Sequence, residues 1–143
     1  MAASGSMKGS MTGLTTGLLV GGHKVARLLE AELEGTGLSA GEAVLLSALA
    51  SGPMTMTGVM AALHIQASTA TSLVSRLEKH GYVQRSPNPA DGRSLLVAST
   101  DAGSVLCKAA AAAFTRVDKK LAQAGRDAVQ GHNALMQRLE DLT

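Results

Sequence analysis

The stretch from Ala67 to Gly103, ASTATSLVSRLEKHGYVQRSPNPADGRSLLVASTDAG, constrains the fold more than any other part of the chain. Ala70, Leu73, Val74 and Leu77 recur at three- and four-residue spacing, the period of a helix with one apolar face. This helix is expected over Ala67 to His80, with Gly81 at the left-handed C-terminal position. Tyr82-Val83-Gln84-Arg85 then reads as a strand. Pro87 and Pro89 forbid continued ladder pairing and force a turn that holds Asp91-Gly92-Arg93. Leu95 to Ser99 returns as a second strand, and Thr100 caps a new helix whose first turn carries Asp101. Just upstream, Thr55 opens a short helix ending at Leu63, with Val59, Met60 and Leu63 inward, and His64-Ile65-Gln66 makes a three-residue turn. Two helices across a tight turn, followed by a hairpin, describe a winged helix-turn-helix. That module lays its second helix in the DNA major groove with the hairpin beside it.

The residues Ser68-Thr69, Leu73-Val74-Ser75-Arg76-Leu77-Glu78-Lys79, Gly81, Asp91-x-Arg93-Ser94 and Thr100-x-x-Gly103 stand in one order. As a set they resemble the DNA-binding half of the MarR family of bacterial transcription regulators. The resemblance runs from about Leu14 to the C-terminus and is specific in the middle and architectural at the ends. It implies a mostly α (α+β) fold: a winged helix-turn-helix with N- and C-terminal dimerisation helices and a two-stranded β wing. It also implies a homodimer in which the first and last helices of two protomers interdigitate. The expected organisation is a flexible leader over 1–12, a helical dimerisation region over 13–37 and 101–143, and a DNA-binding region over 38–100, all in one structural domain. Such a protein would be a repressor released by a small-molecule ligand and would bind a pseudo-palindromic operator. Family members often take small aromatic or lipophilic anionic effectors between the dimerisation helices and the winged region. With 1% aromatic residues here to line such a pocket, no particular ligand is indicated.

Outside the winged segment the reading is architectural. A first helix is expected over about Gly13 to Glu34, with Leu14, Leu18, Val25, Leu28, Leu29 and Leu33 near one side. Gly13, Gly17 and Gly21 fall four apart. Either they allow close approach to another helix, or this end frays at a cost of ~1 kcal/mol per helical glycine. Ser39-Ala40-Gly41-Glu42 is a capping box opening a helix through about Ala50, with Val44, Leu45 and Leu49 buried, and Ser51-Gly52-Pro53 stops it. From Asp101 a long helix carries Leu106, Ala110, Ala113, Val117 and Leu121. A break near Gln123 to Arg126 precedes a last helix with Val129, Met136, Leu139 and Leu142. The terminal helices have apolar faces that a small winged region cannot cover, and a second copy of the chain is the economical partner.

On the second helix of the motif, the core-facing residues leave Ser68, Thr69, Thr71, Ser72, Ser75 and Arg76 pointing out or sideways. Short hydroxyls near a helix N-terminus suit phosphate oxygens, which the exposed N–H groups also attract; caps and solvated surface are the alternative. Arg76 is a phosphate candidate or a partner for a nearby carboxylate. The family often has a long polar residue where Ser72 stands and an acid where Ser75 stands. Without a long donor at 72, bidentate reading of guanine from that position is lost, and sequence choice leans on hydroxyl contacts, Gln66 and DNA shape. Gly58 and Met60 also depart from the family's usual Glu and small residue. In the wing, Arg93 is expected in the minor groove with Asp91 holding its guanidinium; a salt bridge stabilising the turn is the alternative. Arg85 on the first wing strand is a further phosphate candidate.

Net charge is only +2, and the middle of the chain, Met54 to Thr100, is the relatively basic third with four basic and two acidic residues. Charge alone would not identify a nucleic-acid binder. No apolar run reaches the ~18 residues of a membrane span, and no secretory leader pattern is present, so a cytoplasmic location is expected. Cys107 has no partner for an intramolecular disulfide and reads as a buried structural thiol on the long helix. His23, His64, His80 and His132 are scattered without metal-ligand spacing, so no metal or cofactor is expected. No nucleophile–base set, paired carboxylates, phosphate loop or dinucleotide fingerprint occurs, which argues against an enzyme. Double-stranded DNA is the expected partner. A winged-helix module that binds protein without sequence-specific DNA binding is the competing reading.

Overall fold

The computed structural model describes residues 13–143; the expected leader over 1–12 lies outside the described residues. The elements are α1 (Leu14–Glu32), α2 (Ala40–Leu49), β1 (Met54–Thr55), α3 (Met56–Leu63), α4 (Ala67–Lys79), β2 (Val83–Asn88), β3 (Asp91–Ser99), α5 (Asp101–Ala122) and α6 (Arg126–Leu142). Local chemistry explains most of the boundaries. Ser39, Thr55 and Thr100 each accept a bond from the amide three residues on, which satisfies a first-turn donor of α2, α3 and α5. Glu42 completes the α2 cap by accepting from the Ser39 hydroxyl at 3.0 Å. His64, at φ 51, ends α3 in the left-handed region, and Gly125, at φ 106, separates α5 from α6.

The expected two-stranded wing is the β2–β3 hairpin, and a short third strand, β1, joins it to give an antiparallel sheet ordered β1-β3-β2. The additional strand is the residue pair just before and at the α3 cap, with Met54 opposite Val97 and Thr55 opposite Leu96. Two residues are too few to show a strand period. The hairpin is also longer than expected. Pairing continues through Pro87 opposite Leu95 to Asn88 opposite Asp91, with an irregularity between Pro87 and Asn88. Pro87 is tolerated because β2 is an edge strand, where a missing N–H leaves no gap between strands. Pro89-Ala90 therefore forms the tip, and Asp91-Gly92-Arg93 begins β3 and is not held in the turn.

The core lies where α2 is enclosed by α3, α4, the sheet and α5. Leu45, Leu46, Val59, Val74, Leu77 and Val97 are all at 0% exposure. Val44, expected inside, is 40% exposed, and Leu46 takes its place. α2 is covered on more than one side, so Ala43, Leu45, Leu46 and Leu49 are buried around its circumference and a single-face pattern misassigns one position.

The terminal helices look outward. α6 has no buried residue, and Leu14, Leu19 and Leu142 are each about two-thirds exposed. A Cβ added at Gly13, Gly17 or Gly21 would meet nothing within 4 Å, so the close approach that their spacing permits is not made inside one protomer. α1 is tied to α5 by an ionic clasp. Arg116 Nε donates to Glu32 Oε2 at 2.6 Å, Lys120 Nζ to Glu32 Oε1 at 2.5 Å, and Arg116 also donates to the Glu32 backbone carbonyl at 3.1 Å. Hydrogen bonds from Lys120 and Arg116 hold the Glu32 carboxyl below the ordinary glutamate range. Among the described residues no helix is long and apolar enough to cross a membrane.

Candidate nucleic-acid interface

The apolar edge of α4 seats it firmly: Ala70, Leu73, Val74 and Leu77 are buried. Its C-terminus is closed by a Schellman arrangement. Gly81, at φ 79, donates to the Glu78 carbonyl, and the Tyr82 amide returns to the Leu77 carbonyl at 2.9 Å. The start of α5 is bonded into the same corner. Thr100 donates its amide to the Tyr82 carbonyl at 3.0 Å and its hydroxyl to the Gly81 carbonyl at 2.6 Å, while its Oγ1 accepts from the Gly103 amide. Gly103 is buried against this corner, and a Cβ there would fall 1.9 Å from the Tyr82 oxygen. That contact is the physical content of the Thr100-x-x-Gly103 pair.

The opposite edge of α4 is open. Gln66, Ser68, Thr69, Thr71, Ser72, Ser75 and Arg76 are all exposed. Gln66 occupies the N-cap without a side-chain capping bond, and no acid lies in the first turn. The positive end of the helix is therefore neither capped nor neutralised from within, the condition that suits an anion. Among the described residues the side chains of Ser68, Thr69, Thr71 and Ser72 make no hydrogen bond, so these hydroxyls are not serving as caps. Arg76 approaches Glu42 at 3.9 Å, the outer limit of an ion pair, with its side chain 58% exposed. It also carries the carbonyl that meets His80 Nδ1 at 2.8 Å, and the His80 ring stacks on Tyr82.

The wing brings Asp91 and Arg93 to an exposed strand end, but not to each other as expected. Asp91 Oδ1 accepts from the backbone amide of Arg93 at 3.0 Å, and among the described residues no ion pair involves the Arg93 guanidinium. Asp91 thus shapes the strand and leaves the guanidinium extended. Asn88 Nδ2 donates to the Ser94 hydroxyl at 3.0 Å, which braces the hairpin. Arg85 is folded under α4: its Nη2 donates to Ser75 Oγ at 2.9 Å and lies 3.3 Å from Glu78 Oε1. This tie was not legible in the sequence, because it joins a helix to a strand across a glycine corner and follows neither periodicity.

Cys107, expected buried, is only partly so. Its Sγ lies 3.5 Å from the Leu46 carbonyl on the wall of a cavity of about 430 Å³ beside Leu49, Pro53, Ser99 and Lys108. The α2–α5 packing stops short of closing over this turn of α5.

Helix-turn-helix, wing and the bonded corner between them define a winged helix-turn-helix protein. Residues 36–94 match the sequence model of the MarR family. The fold as a whole is similar to that of a probable transcriptional regulator from Pseudomonas aeruginosa, at 26% identity and TM-score 0.76, covering 92% of this chain and 98% of that one. It is similar to a mutant MarR from E. coli complexed with operator DNA, at 24% identity and TM-score 0.78, covering 88% and 94%. BpsR from Bordetella bronchiseptica, whose DNA binding is described as regulated by 6-hydroxynicotinic acid, superposes at TM-score 0.81 with 20% identity, covering 92% and 95%. Comparison with curated proteins finds no match in sequence. The winged segment of this chain thus matches the model of the MarR family, and over about nine-tenths of its length the chain has a fold similar to that of these regulators.

Proposed function

We propose that the protein is a homodimeric, DNA-binding transcription regulator, a repressor that occupies a pseudo-palindromic operator and is released by a small ligand. The observation that carries this reading is the open edge of α4. It presents a row of unengaged hydroxyls at a helix N-terminus free of caps and acids, next to a wing whose Arg93 guanidinium is unpaired among the described residues. In this reading Gln66, Ser68, Thr69, Thr71 and Ser72 approach base edges and phosphates, Arg76 takes a phosphate, and Arg93 enters the minor groove with Asp91 setting its strand. The regions 13–37 and 101–143 form the dimer, which covers the exposed leucines of α1 and α6, and 38–100 is the DNA-binding region. Two recognition helices meeting successive major grooves place half-site centres about one helical turn, ~10 bp, apart. A groove of about 440 Å³ between α2 and α5, lined by Val44, Ser47, Ala111, Phe114 and Asp118, offers room for a small effector with an aromatic or apolar body. The resemblance to E. coli MarR on operator DNA and to BpsR supports the same assignment.

The test is selection of bound duplexes from a random-sequence pool, followed by anisotropy titration of wild type and Arg93→Ala across a salt series. Arg93→Ala should weaken binding to every selected duplex and reduce the salt slope by about one phosphate-equivalent. Unchanged affinity and slope would remove the wing from the interface, and failure to select any sequence would favour a protein-binding module.

A further inference from the structure

We infer that Arg85 is a positioning residue of the DNA interface, a clamp that sets the wing against the recognition helix, and that it is not itself a phosphate contact. The inference rests on the DNA-binding reading above. Arg85 sits on β2 opposite Val97, one strand from the centre of the sheet, and reaches back across the corner to α4. Its Nη2 is held at 2.9 Å by Ser75 Oγ and at 3.3 Å by Glu78 Oε1, residues one turn apart on the helix. Its side chain is 26% exposed, and its Nε is buried without a hydrogen-bond partner.

A guanidinium that served a phosphate would be expected in solvent, with its nitrogens hydrated until DNA arrived, as Arg93 is placed. Arg85 is held instead along the protein surface, with its Nη2 turned to Ser75 and Glu78 on α4 and not extended as the Arg93 guanidinium is. The buried Nε is compatible with a side chain kept for its shape and its two anchors. Two consequences follow from the same contacts. Arg85 offsets the Glu78 carboxylate, the acid in the last turns of α4, which would otherwise repel a phosphate backbone at close range. It also occupies a lone pair of Ser75, so that this hydroxyl faces DNA chiefly as a donor and favours acceptors on the duplex.

The experiment compares full-length wild type, Arg85→Ala, Arg85→Lys, Glu78→Gln and the double variant Arg85→Ala/Glu78→Gln on the duplex that wild type selects from a random pool. Anisotropy is read across a salt series, and amide hydrogen exchange over β2 and β3 is measured without DNA. The expected result for Arg85→Ala is a roughly tenfold loss of affinity, the scale of one charge-assisted hydrogen bond, with the salt slope unchanged. The same replacement in the Glu78→Gln background should cost markedly less, because the two side chains act as a pair. Exchange over the wing should quicken in Arg85→Ala and be only partly restored in Arg85→Lys. A slope lowered by about one, with the same loss in both backgrounds, would make Arg85 a phosphate contact and overturn the inference. Should Arg85→Ala not fold, Arg85→Lys decides. A phosphate contact keeps near-wild-type affinity with Lys, whereas a clamp loses affinity because the Lys ammonium ends one bond short of the Nη2 that meets both Ser75 and Glu78. If wild type binds no duplex, the regulator reading fails on its own. Hydrogen exchange then decides the clamp, which unchanged wing protection in Arg85→Ala would refute.

Discussion

Gly103→Ala replaces one hydrogen by a methyl group and should rank among the most damaging single substitutions in the chain. The added Cβ would sit 1.9 Å from the Tyr82 carbonyl oxygen and 2.9 Å from its carbon, against backbone that cannot rotate away. Relief requires α5 to withdraw from the Gly81-Tyr82 corner by well over an ångström. That movement breaks the Thr100 amide bond to Tyr82 and strains the Thr100 hydroxyl bond to Gly81, now 3.0 and 2.6 Å. Overpacking of this kind costs ~1–3 kcal/mol. Loss of a buried backbone hydrogen bond adds about 1 kcal/mol, and weakening of the Thr100 cap about as much again. Alanine's better helix propensity returns up to ~1 kcal/mol. The net expectation is a loss of about 3 kcal/mol, a large share of the ~5–15 kcal/mol that holds an ordinary domain together. Urea unfolding followed by far-UV circular dichroism measures it, at matched protein concentration because dimerisation would contribute to the apparent stability. Thr100→Val, which removes the hydroxyl without adding volume, should lose about 1–2 kcal/mol in the same assay. A Gly103→Ala protein within ~0.5 kcal/mol of wild type, the scale of an ordinary surface change, would refute the tight-corner argument.

Three further outcomes are expected. Glu32 has its carboxyl pKa lowered by Lys120 and Arg116, so its contribution is present above the unfolded pKa and is lost as pH falls through the lower folded value; the stability difference between wild type and Glu32→Gln should therefore shrink on acidification, with the Glu32 carboxyl carbon titrating below the ordinary glutamate range by NMR. Ser72→Ala should alter preference among operator variants more than overall affinity, by ~1 kcal/mol at most, since a short hydroxyl makes a single weak bond; a uniform loss across all variants in competition titrations would contradict base readout at this position. Deleting Arg126 to Thr143 should expose the apolar faces of α1 and α5 and give aggregated or unfolded protein, whereas a soluble monomer that still binds DNA, seen by light scattering and anisotropy, would sink the dimer proposal.

Much of this fold was legible because local rules act at each boundary. Ser39, Thr55 and Thr100 cap where their spacing to an apolar run says they should, Gly81 takes the left-handed position, and the buried edge of α4 follows its period residue for residue. The misses are tertiary. β1 is too short to carry a pattern, and Val44 and Leu46 exchange places because α2 is covered from more than one side. The ladder runs through Pro87 because its strand lies at an edge, a matter of strand order that local sequence does not contain. At the candidate interface the outward hydroxyl row was legible from the period alone. The partners of its charged residues were not: Arg85 meets Ser75 and Glu78, Arg116 and Lys120 meet Glu32 more than eighty residues away, and Asp91 takes the amide of Arg93 where the guanidinium was expected.

The corner packed against Gly103 also links the two halves of the proposed function. The recognition helix ends at Gly81 and Tyr82, and the first turn of α5 is bonded to the carbonyls of both. At its other end α5 holds α1 through the Glu32 clasp, so one helix of twenty-two residues joins the reading head to the arms proposed to form the dimer. In that dimer the distance between two recognition helices is set by the directions of two α5 axes. At 1.5 Å of rise per residue, α5 is about 33 Å long, so a tilt of a few degrees at the arms displaces its far end by a couple of ångströms. That displacement is comparable to the tolerance of a hydrogen bond to a base edge, which is lost beyond about 3.5 Å. A ligand seated between α2 and α5 therefore has no need to touch α4. In the proposed regulator it would act on binding by its differential affinity for two settings of α5, and the stiffness of the Gly81-Thr100-Gly103 corner would carry the difference to the DNA.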